Sequence, residues 1–293
     1  MKETPLVSIL LLSMNHERYI EQCVNSILSQ TYKNIEINYL DNASSDNTFI
    51  LGKRLLQASG KPYKAFQNVH SNGISKNLNF LISKSSGGFL IIISTDDWWD
   101  RCNVEIKLKF LIENPQYGMV YGDGFFYYTN DTTSLFSEQD SLYSGQILNE
   151  LLLYNFIKAP SVMLNKIAID KIGLFDEDLL IEDWDLWIRI AEKFPIGFIK
   201  APLVFYRYSH GGNLSSKQEF IVSAVKQMIN KYSGKYPVEM RLLTKRNVLR
   251  EAFYKSTKPF KIKDFFWLVK NTQLNLSYGK VLIKYLLFPR AGQ

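Results

Sequence analysis

The sequence predicts an α/β fold built on a mostly parallel sheet. Three observations predict it. Continuous apolar runs at residues 7–12, 35–40 and 89–94 read as strands buried on both faces. Segments with helical spacing alternate with them. A polar cluster closes each run: Ser13-Met14-Asn15, Asp41-Asn42 and Thr95-Asp96-Asp97. In open parallel sheets ligands bind beyond the carboxyl ends of the strands, so these clusters are expected to meet in one crevice.

The elements follow in order. After the first strand, Ile20, Cys23, Val24, Ile27 and Leu28 fall at i, i+3, i+4, i+7 and i+8, one face of a helix. Ile35–Leu40 is the second strand, and residues 41–46 supply turn and N-cap side chains for a helix near Thr48–Ala58. Residues 75–85 read as helical, Gly87-Gly88 ends that helix, and the third strand and another helix (Val104, Leu108, Leu111) follow. Beyond this point the pattern is less regular. Residues 117–128 read as short strands interrupted by Gly118, Gly122 and Gly124, 144–154 and 184–194 as helices, 175–181 as a loop, 203–208 as a strand, and residues from 219 onward as mainly helical.

A chain of 293 residues with 46% hydrophobic and 22% charged side chains buries a core without metal or disulfide staples. The two cysteines suit a reducing compartment, and the apolar N-terminal run is too short to span a membrane and lacks signal-peptide flanks. Charge is unevenly divided. Residues 217–293 hold 16 Lys+Arg and 4 Asp+Glu, a net of +12; the remainder holds 19 and 24, a net of −5. A basic tail of this kind faces phosphates, on nucleic acid or on an anionic membrane.

Each candidate carries two readings. Asp96-Asp97 at a strand end suits a hard cation with a diphosphate, or a solvated turn capping the next helix. Asp41 suits a nucleobase imide or ribose hydroxyl, or an ordinary turn. Glu182-Asp183-Trp184-Asp185 is either the acidic first turn of a helix or the seat of a general base, with Trp184 and Trp187 shaping an acceptor pocket or filling core. No G-x-G-x-x-G follows the first strand, and no P-loop or G-x-S-x-G occurs, which excludes the commonest dinucleotide, phosphotransfer and hydrolase sites.

In sequence order, Val7-Ser8-Ile9 through Asn15, Ser26–Tyr32, Asp41-Asn42-Ala43-Ser44-Ser45-Asp46-Asn47-Thr48, Asn72-Gly73-Ile74-Ser75-Lys76-Asn77, Gly87-Gly88-Phe89 and Ser94-Thr95-Asp96-Asp97 resemble the motifs of family 2 glycosyltransferases. So do Gly173–Glu177, Glu182–Trp187 and Tyr206-Arg207…His210…Asn213-Leu214-Ser215. The resemblance covers residues 5–215 and implies the GT-A fold, a Rossmann-like nucleotide-diphospho-sugar transferase, over 1–216. Residues 1–115 would be its nucleotide half, 116–216 its acceptor half, and 217–293 a basic helical extension.

The resemblance also implies roles. Asp41 would bond the nucleobase, Ser13 and Asn15 line the nucleoside pocket, and Asn72 and Lys76 lie near ribose or diphosphate. Asp96 would face the donor sugar or ribose, and Asp97, approached by His210, would hold a divalent Mn²⁺ or Mg²⁺. Asp183 stands at the catalytic-base position of inverting members, with Glu182 and Trp184 on the acceptor side. The implied reaction transfers a sugar from a nucleotide-sugar donor, UDP by default, to a glycan or lipid-linked acceptor in bacterial surface polysaccharide synthesis. The sequence departs from the pattern where Ser94 replaces the first carboxylate of D-x-D-D and Asn42 the second aspartate of D-D-G-S.

The tail lies outside the resemblance. Val281, Tyr285 and Phe288 with Lys280 and Lys284 read as a basic amphipathic helix, either on an anionic membrane or packed on the catalytic domain. The expected location is cytoplasmic, peripheral on the inner membrane face, with no nucleic acid as partner. The alternatives are a catalytically silent nucleotide-sugar-binding module and a nucleic-acid-binding protein using its tail.

Overall fold

A computed structural model describes residues 4–208 and 217–256. Two units divide the chain, residues 1–178 with 182–210, and residues 179–181 with 211–293. His210 and the 280–288 segment lie outside the described residues.

The first unit opens with β1 (Val7–Ser13), α1 (Ile20–Leu28), β2 (Ile35–Asp41), α2 (Thr48–Ala58), β3 (Tyr63–Gln67), α3 (Ile74–Ser83) and β4 (Phe89–Ser94). β1 pairs in parallel with β2 and β4, and β2 with β3. Residues of β1 and β2 are almost all buried, as the unbroken apolar runs require. α1 buries Ile20, Cys23, Val24 and Ile27, the stripe read from its spacing. Gly87 is needed for close approach, because a Cβ there would come within 2.6 Å of Ser8 Oγ and 2.7 Å of the Leu6 carbonyl oxygen.

β5 (Trp98–Trp99), α4 (Asn103–Glu113), β6 (Met119–Tyr127), β7 (Thr133–Leu135), α5 (Phe136–Gln139) and α6 (Leu148–Leu153) follow. A 3₁₀ turn at Ala159–Ser161 leads into β8 (Val162–Asn165), α7 (Lys166–Ile172), α8 (Glu182–Ala191) and β9 (Ile196–Arg207). The sheet runs β3-β2-β1-β4-β8-β6-β9-β5, with β7 on β6. β8 is antiparallel to both β4 and β6, while β6 and β9 pair in parallel.

The structure differs from the sequence expectation in the second half. Residues 119–127 form one strand, and Gly122–Gly124 mark register shifts against β9 rather than ends. The helix expected over 144–154 is confined to 148–153, because Gly145 bridges to Ile196. β9 begins at Ile196, seven residues before the expected strand. β3 was not anticipated; it is short and only half-buried.

The second unit contains α9 (Gln218–Tyr232) and α10 (Pro237–Ser256). α9 buries Val222, Ala224, Val225, Met228 and Tyr232, and α10 buries Met240, Leu243 and Asn247. Among the described residues no helix is long and apolar enough to cross a membrane.

Candidate active site

Strand register sets the polar clusters level with one another. Ser13 is level with Asp41, Asp41 with Gln67, and Leu12 with Ser94. The three polar clusters therefore leave the sheet side by side. Asp41 is fully buried. Its Oδ1 accepts from Ser13 Oγ (2.7 Å) and Ser44 Oγ (2.5 Å), and its Oδ2 from the Ser44 N–H (2.9 Å) and Gln67 Nε2 (3.3 Å). Ser13 Oγ also lies 3.0 Å from Tyr39 Oη.

Two residues of this site have positive φ, Asn15 at 56° and Ala43 at 59°. Asparagine tolerates that region; alanine does so with strain. Asn15 Oδ1 accepts from the Ser45 N–H at 2.8 Å, and its own N–H donates to Ser44 Oγ at 2.8 Å. Asn15 thus pins the turn that carries Asp41.

Asn42, which departs from the family pattern, clamps the neighbouring loop. Its Oδ1 accepts from the Asn72 N–H and from Asn68 Nδ2, both at 2.9 Å. Its Nδ2 donates to the Asn72 carbonyl at 3.0 Å and to Ser71 Oγ at 3.1 Å. Asn72 is half-buried beside Asp41's turn, and Lys76 is exposed in the first turn of α3.

Asp96 and Asp97 are both buried. Asp97 Oδ1 accepts the Arg207 backbone N–H at 2.8 Å, and Arg207 Nε donates to the Asp96 carbonyl oxygen at 3.0 Å. Burial, then the neighbouring Asp96 charge, pushes the Asp97 carboxyl well above its ordinary range, with Arg207 opposing. The Arg207 guanidinium lies among the rings of Tyr19, Trp98 and Tyr127, with centroids at 4.4, 4.9 and 5.2 Å. His16 Nδ1 is 2.9 Å from Thr95 Oγ1 and 3.8 Å from Asp96 Oδ1, joining the β1 and β4 clusters.

No group of three or more His, Cys, Asp or Glu suited to a metal occurs among the described residues. A carboxyl whose ionised form is disfavoured by burial and by the charge of the adjacent Asp96 nevertheless suits a hard cation, which binds through one or two carboxylates and substrate phosphates. Asp96 and Asp97 fit that role. Ser94, half-buried, brings a hydroxyl instead of a third carboxylate.

A second carboxylate cluster lies in the first turn of α8. Asp183 Oδ1 accepts from Asn155 Nδ2 at 3.2 Å and from the Trp184 N–H at 2.6 Å. Burial raises its carboxyl above the usual range, and these donors with the Lys158 charge pull it back only in part. Glu182 is raised too, by burial and then by the Asp183 charge. Lys158 is held by Asp140 Oδ2 at 3.0 Å.

Trp184 sits in the core, 4% exposed, with its indole N–H donating to the Leu151 carbonyl at 2.6 Å. That corrects its expected acceptor-facing role: a side chain this enclosed supports α8 and offers no ring face to a ligand. Trp187 is fully buried as well. The Gly173–Phe175 motif is structural in the same sense. Arg189 donates to the carbonyls of Ile172, Gly173 and Leu174, and Asn79 brackets Phe175 through its N–H and carbonyl.

A buried bond links the two sides. Trp99, two residues beyond Asp97, donates its indole N–H to the Pro160 carbonyl at 3.0 Å, and Pro160 lies two residues beyond Lys158. Sequence reading assigned no role to Arg207, Gln67, Asn155 or Lys158. Arg207 carried a signal through its place in the Tyr206-Arg207 motif; Asn155 and Lys158 lie in an irregular segment that carried none.

The chain is 26% identical over 215 residues to an Escherichia coli protein, UDP-Glc:alpha-D-GlcNAc-diphosphoundecaprenol beta-1,3-glucosyltransferase WfgD, covering 73% of this chain and 81% of that one. An uncharacterised glycosyltransferase of Rickettsia typhi is 29% identical over 200 residues, covering 67% of this chain and 61% of its own length. A longer one from Rickettsia conorii is 28% identical over 94% of this chain, which spans only 42% of it. Among solved structures, Staphylococcus aureus TarS 1–349 in complex with UDP-GlcNAc superposes with a TM-score of 0.65 at 15% identity, over 97% of this chain and 80% of that one. The mannosyltransferase PcManGT from Pyrobaculum calidifontis, in complex with GDP-Man and Mn²⁺, gives 0.66 at 15% identity, over 98% and 87%. The fold is the GT-A fold of these neighbours. The model of the family "Glycosyl transferase family 2" matches residues 8–171, and with the strand-end carboxylates in place the chain belongs to that family.

Proposed function

We propose that the protein is an inverting glycosyltransferase that moves a hexosyl group from a nucleotide-diphosphate donor, UDP by default, to a hydroxyl of a lipid-linked or glycan acceptor. The observation that carries this reading is the row of Ser13, Asp41 and Asp96-Asp97 on neighbouring strand ends. The WfgD and WfaP names, both of which specify UDP-Glc and a diphosphoundecaprenol acceptor, support the donor and acceptor classes. A surface-polysaccharide role at the cytoplasmic membrane face fits such an acceptor.

In this reading Asp41 forms the floor of the nucleobase pocket. Its weakest partner is Gln67 at 3.3 Å, the one most readily displaced by a base imide. Ser13 and Asn15 hold the pocket wall, Asn42 fixes Asn72 over it, and Lys76 supplies a nearby cation. Asp97, with Asp96 beside it, would hold a divalent cation; when bound, such a cation stabilises the charge of a departing diphosphate. Asp183 removes the acceptor proton. A raised carboxyl is a stronger base than an ordinary aspartate, and the Asn155 amide aims it. The acceptor oxygen then forms its bond to the anomeric carbon from the side opposite the leaving nucleoside diphosphate, and configuration inverts.

The test is transfer from UDP-glucose, UDP-GlcNAc and GDP-mannose, with and without Mn²⁺, to a synthetic GlcNAc-diphospholipid, read by mass spectrometry of the product. Product formed by the wild type and lost in Asp183→Asn supports the reading. Nucleotide binding without any transfer would favour the silent module, toward which Ser94 points.

A further inference from the structure

We propose that Asn155 selects the acceptor: its side-chain oxygen receives a hydrogen bond from an O–H or N–H on the ring carbon next to the hydroxyl that reacts. This role rests on Asp183 acting as the base, and it names what the acceptor carries beside its nucleophile.

The amide of Asn155 has two ends, and protein partners account for one of them. Its Nδ2 donates to Asp183 Oδ1 at 3.2 Å. That bond fixes the orientation of the amide, because the opposite orientation would set two acceptor oxygens against each other. Its Oδ1 is enclosed from solvent and receives no hydrogen bond. A buried acceptor without a donor is costly, and the cost is recovered when a ligand supplies one.

The orphaned oxygen stands beside the proposed base. Asn155 and the Trp184 N–H both donate to Asp183 Oδ1, which leaves Oδ2 as the oxygen to take the acceptor proton. A carboxylate oxygen and an amide oxygen on two bonded side chains match two neighbouring substituents of a sugar ring. The reacting hydroxyl donates to the first and its neighbour donates to the second. Lys158, whose charge reaches Asp183, does not satisfy the amide oxygen; its ammonium is engaged with Asp140 Oδ2 at 3.0 Å.

Buried polar atoms without partners also occur in the core, on Asn103 and Lys107 of α4, but both of those residues are fully enclosed. Asn155 is half-buried, so its amide lies at the boundary where a ligand can arrive. An acceptor that lacks the neighbouring donor leaves Oδ1 unpaired in the transition state, which is how a site built to bond one polar group rejects the analogue without it.

The test compares transfer to the GlcNAc-diphospholipid with transfer to its analogue lacking the donor beside the reacting hydroxyl. That analogue is the 2-deoxy sugar for transfer to C3 and the 3-deoxy sugar for transfer to C4, the position being read from the product linkage. The wild type is expected to favour the parent acceptor by about 10- to 100-fold in kcat/KM. Asn155→Ala loses both ends of the amide. Its rates fall with both acceptors, from the lost bond to Asp183, and the preference shrinks to about twofold or less. Asn155→Asp keeps an acceptor oxygen and loses the donor to Asp183, so it is slower with both acceptors and keeps the preference. For transfer to C3, a glucose acceptor separates the two kinds of donor. Transfer as good as to GlcNAc identifies O–H as sufficient, and transfer as poor as to the deoxy sugar identifies the amide N–H; both support the proposal.

Equal transfer by the wild type to the parent and deoxy acceptors overturns it and leaves the base reading standing. So does a preference that survives in Asn155→Ala. The wild-type comparison needs no variant and decides the matter even where a variant fails to fold. Absence of transfer to every acceptor overturns the base reading itself, and the role of Asn155 with it.

Discussion

Asp41 and Asp183 are both carboxylates of the first unit, yet their surroundings are opposite. Asp41 collects four hydrogen bonds from three residues, two of them from Ser44. Asp183 collects two, from Asn155 and the adjacent backbone, and has Glu182 as a raised acidic neighbour. A binding carboxylate is well served by donors that fix it. A carboxylate that must take a proton is better left short of donors, because each bond to the ionised form lowers its basicity. Under the proposed function, this contrast is the one expected between a nucleobase floor and a base.

The sharpest way to break the comparison is Asp183→Asn. Transfer is expected to fall by about 10²–10⁴-fold, the usual contribution of a general base. The melting temperature is expected to rise. A buried acid with a raised folded-state pKa binds protons more readily folded than unfolded, so ionisation at neutral pH costs stability. By the same sign, wild-type stability increases as pH falls through the folded-state value, until the unfolded-state value is passed. A fall in melting temperature for this variant would mean that Asp183 is a satisfied structural group like Asp41.

Asp41→Ala is expected to show the reverse pattern. It leaves Ser13 and Ser44 without their acceptor, at a cost of about 1–3 kcal/mol. Calorimetric titration should show nucleotide affinity reduced about 10- to 100-fold, together with a lower melting temperature.

Lys158→Met tests the tuning of the base. Removing a charge that favours ionised Asp183 raises its pKa further, so the acidic limb of kcat/KM moves to higher pH, by about one unit or less for about 1 kcal/mol of lost interaction. An unmoved limb would show that Asp183 does not set it.

The smallest effect is expected at Ala43, where the family pattern has glycine and φ is 59°. Ala43→Gly relieves left-handed strain of about 1–2 kcal/mol, offset by the unfolded-state entropy of glycine, for a net gain below about 1 kcal/mol. Denaturant melts would register it, with donor affinity unchanged.

The donor side was legible because the physics there is local and repetitive. Buried parallel strands must be apolar throughout, and the chain leaves each one through polar residues, so Ser13, Asp41 and Asp96-Asp97 announce themselves. The acceptor side depends on long-range geometry. Asn155 meets Asp183 across 28 residues, in a segment with no period. Arg207 reaches Asp97 across 110. Trp184 shows the limit of composition: a tryptophan beside a base looks like a ligand platform until its N–H is seen bonded in the core. Asn42 shows the limit of pattern matching, since an amide that both donates and accepts does clamping work that an aspartate's place in a motif does not suggest.

The cage around Arg207 has an optical consequence. Trp98 follows Asp97 directly, stacks on Phe205 at 5.0 Å, and carries the guanidinium 4.9 Å from its ring. An indole emits according to the charges and dipoles around it. A ligand that draws on Asp97 or shifts Arg207 therefore changes the light Trp98 gives out, and this protein carries its own unlabelled reporter one residue away from Asp97.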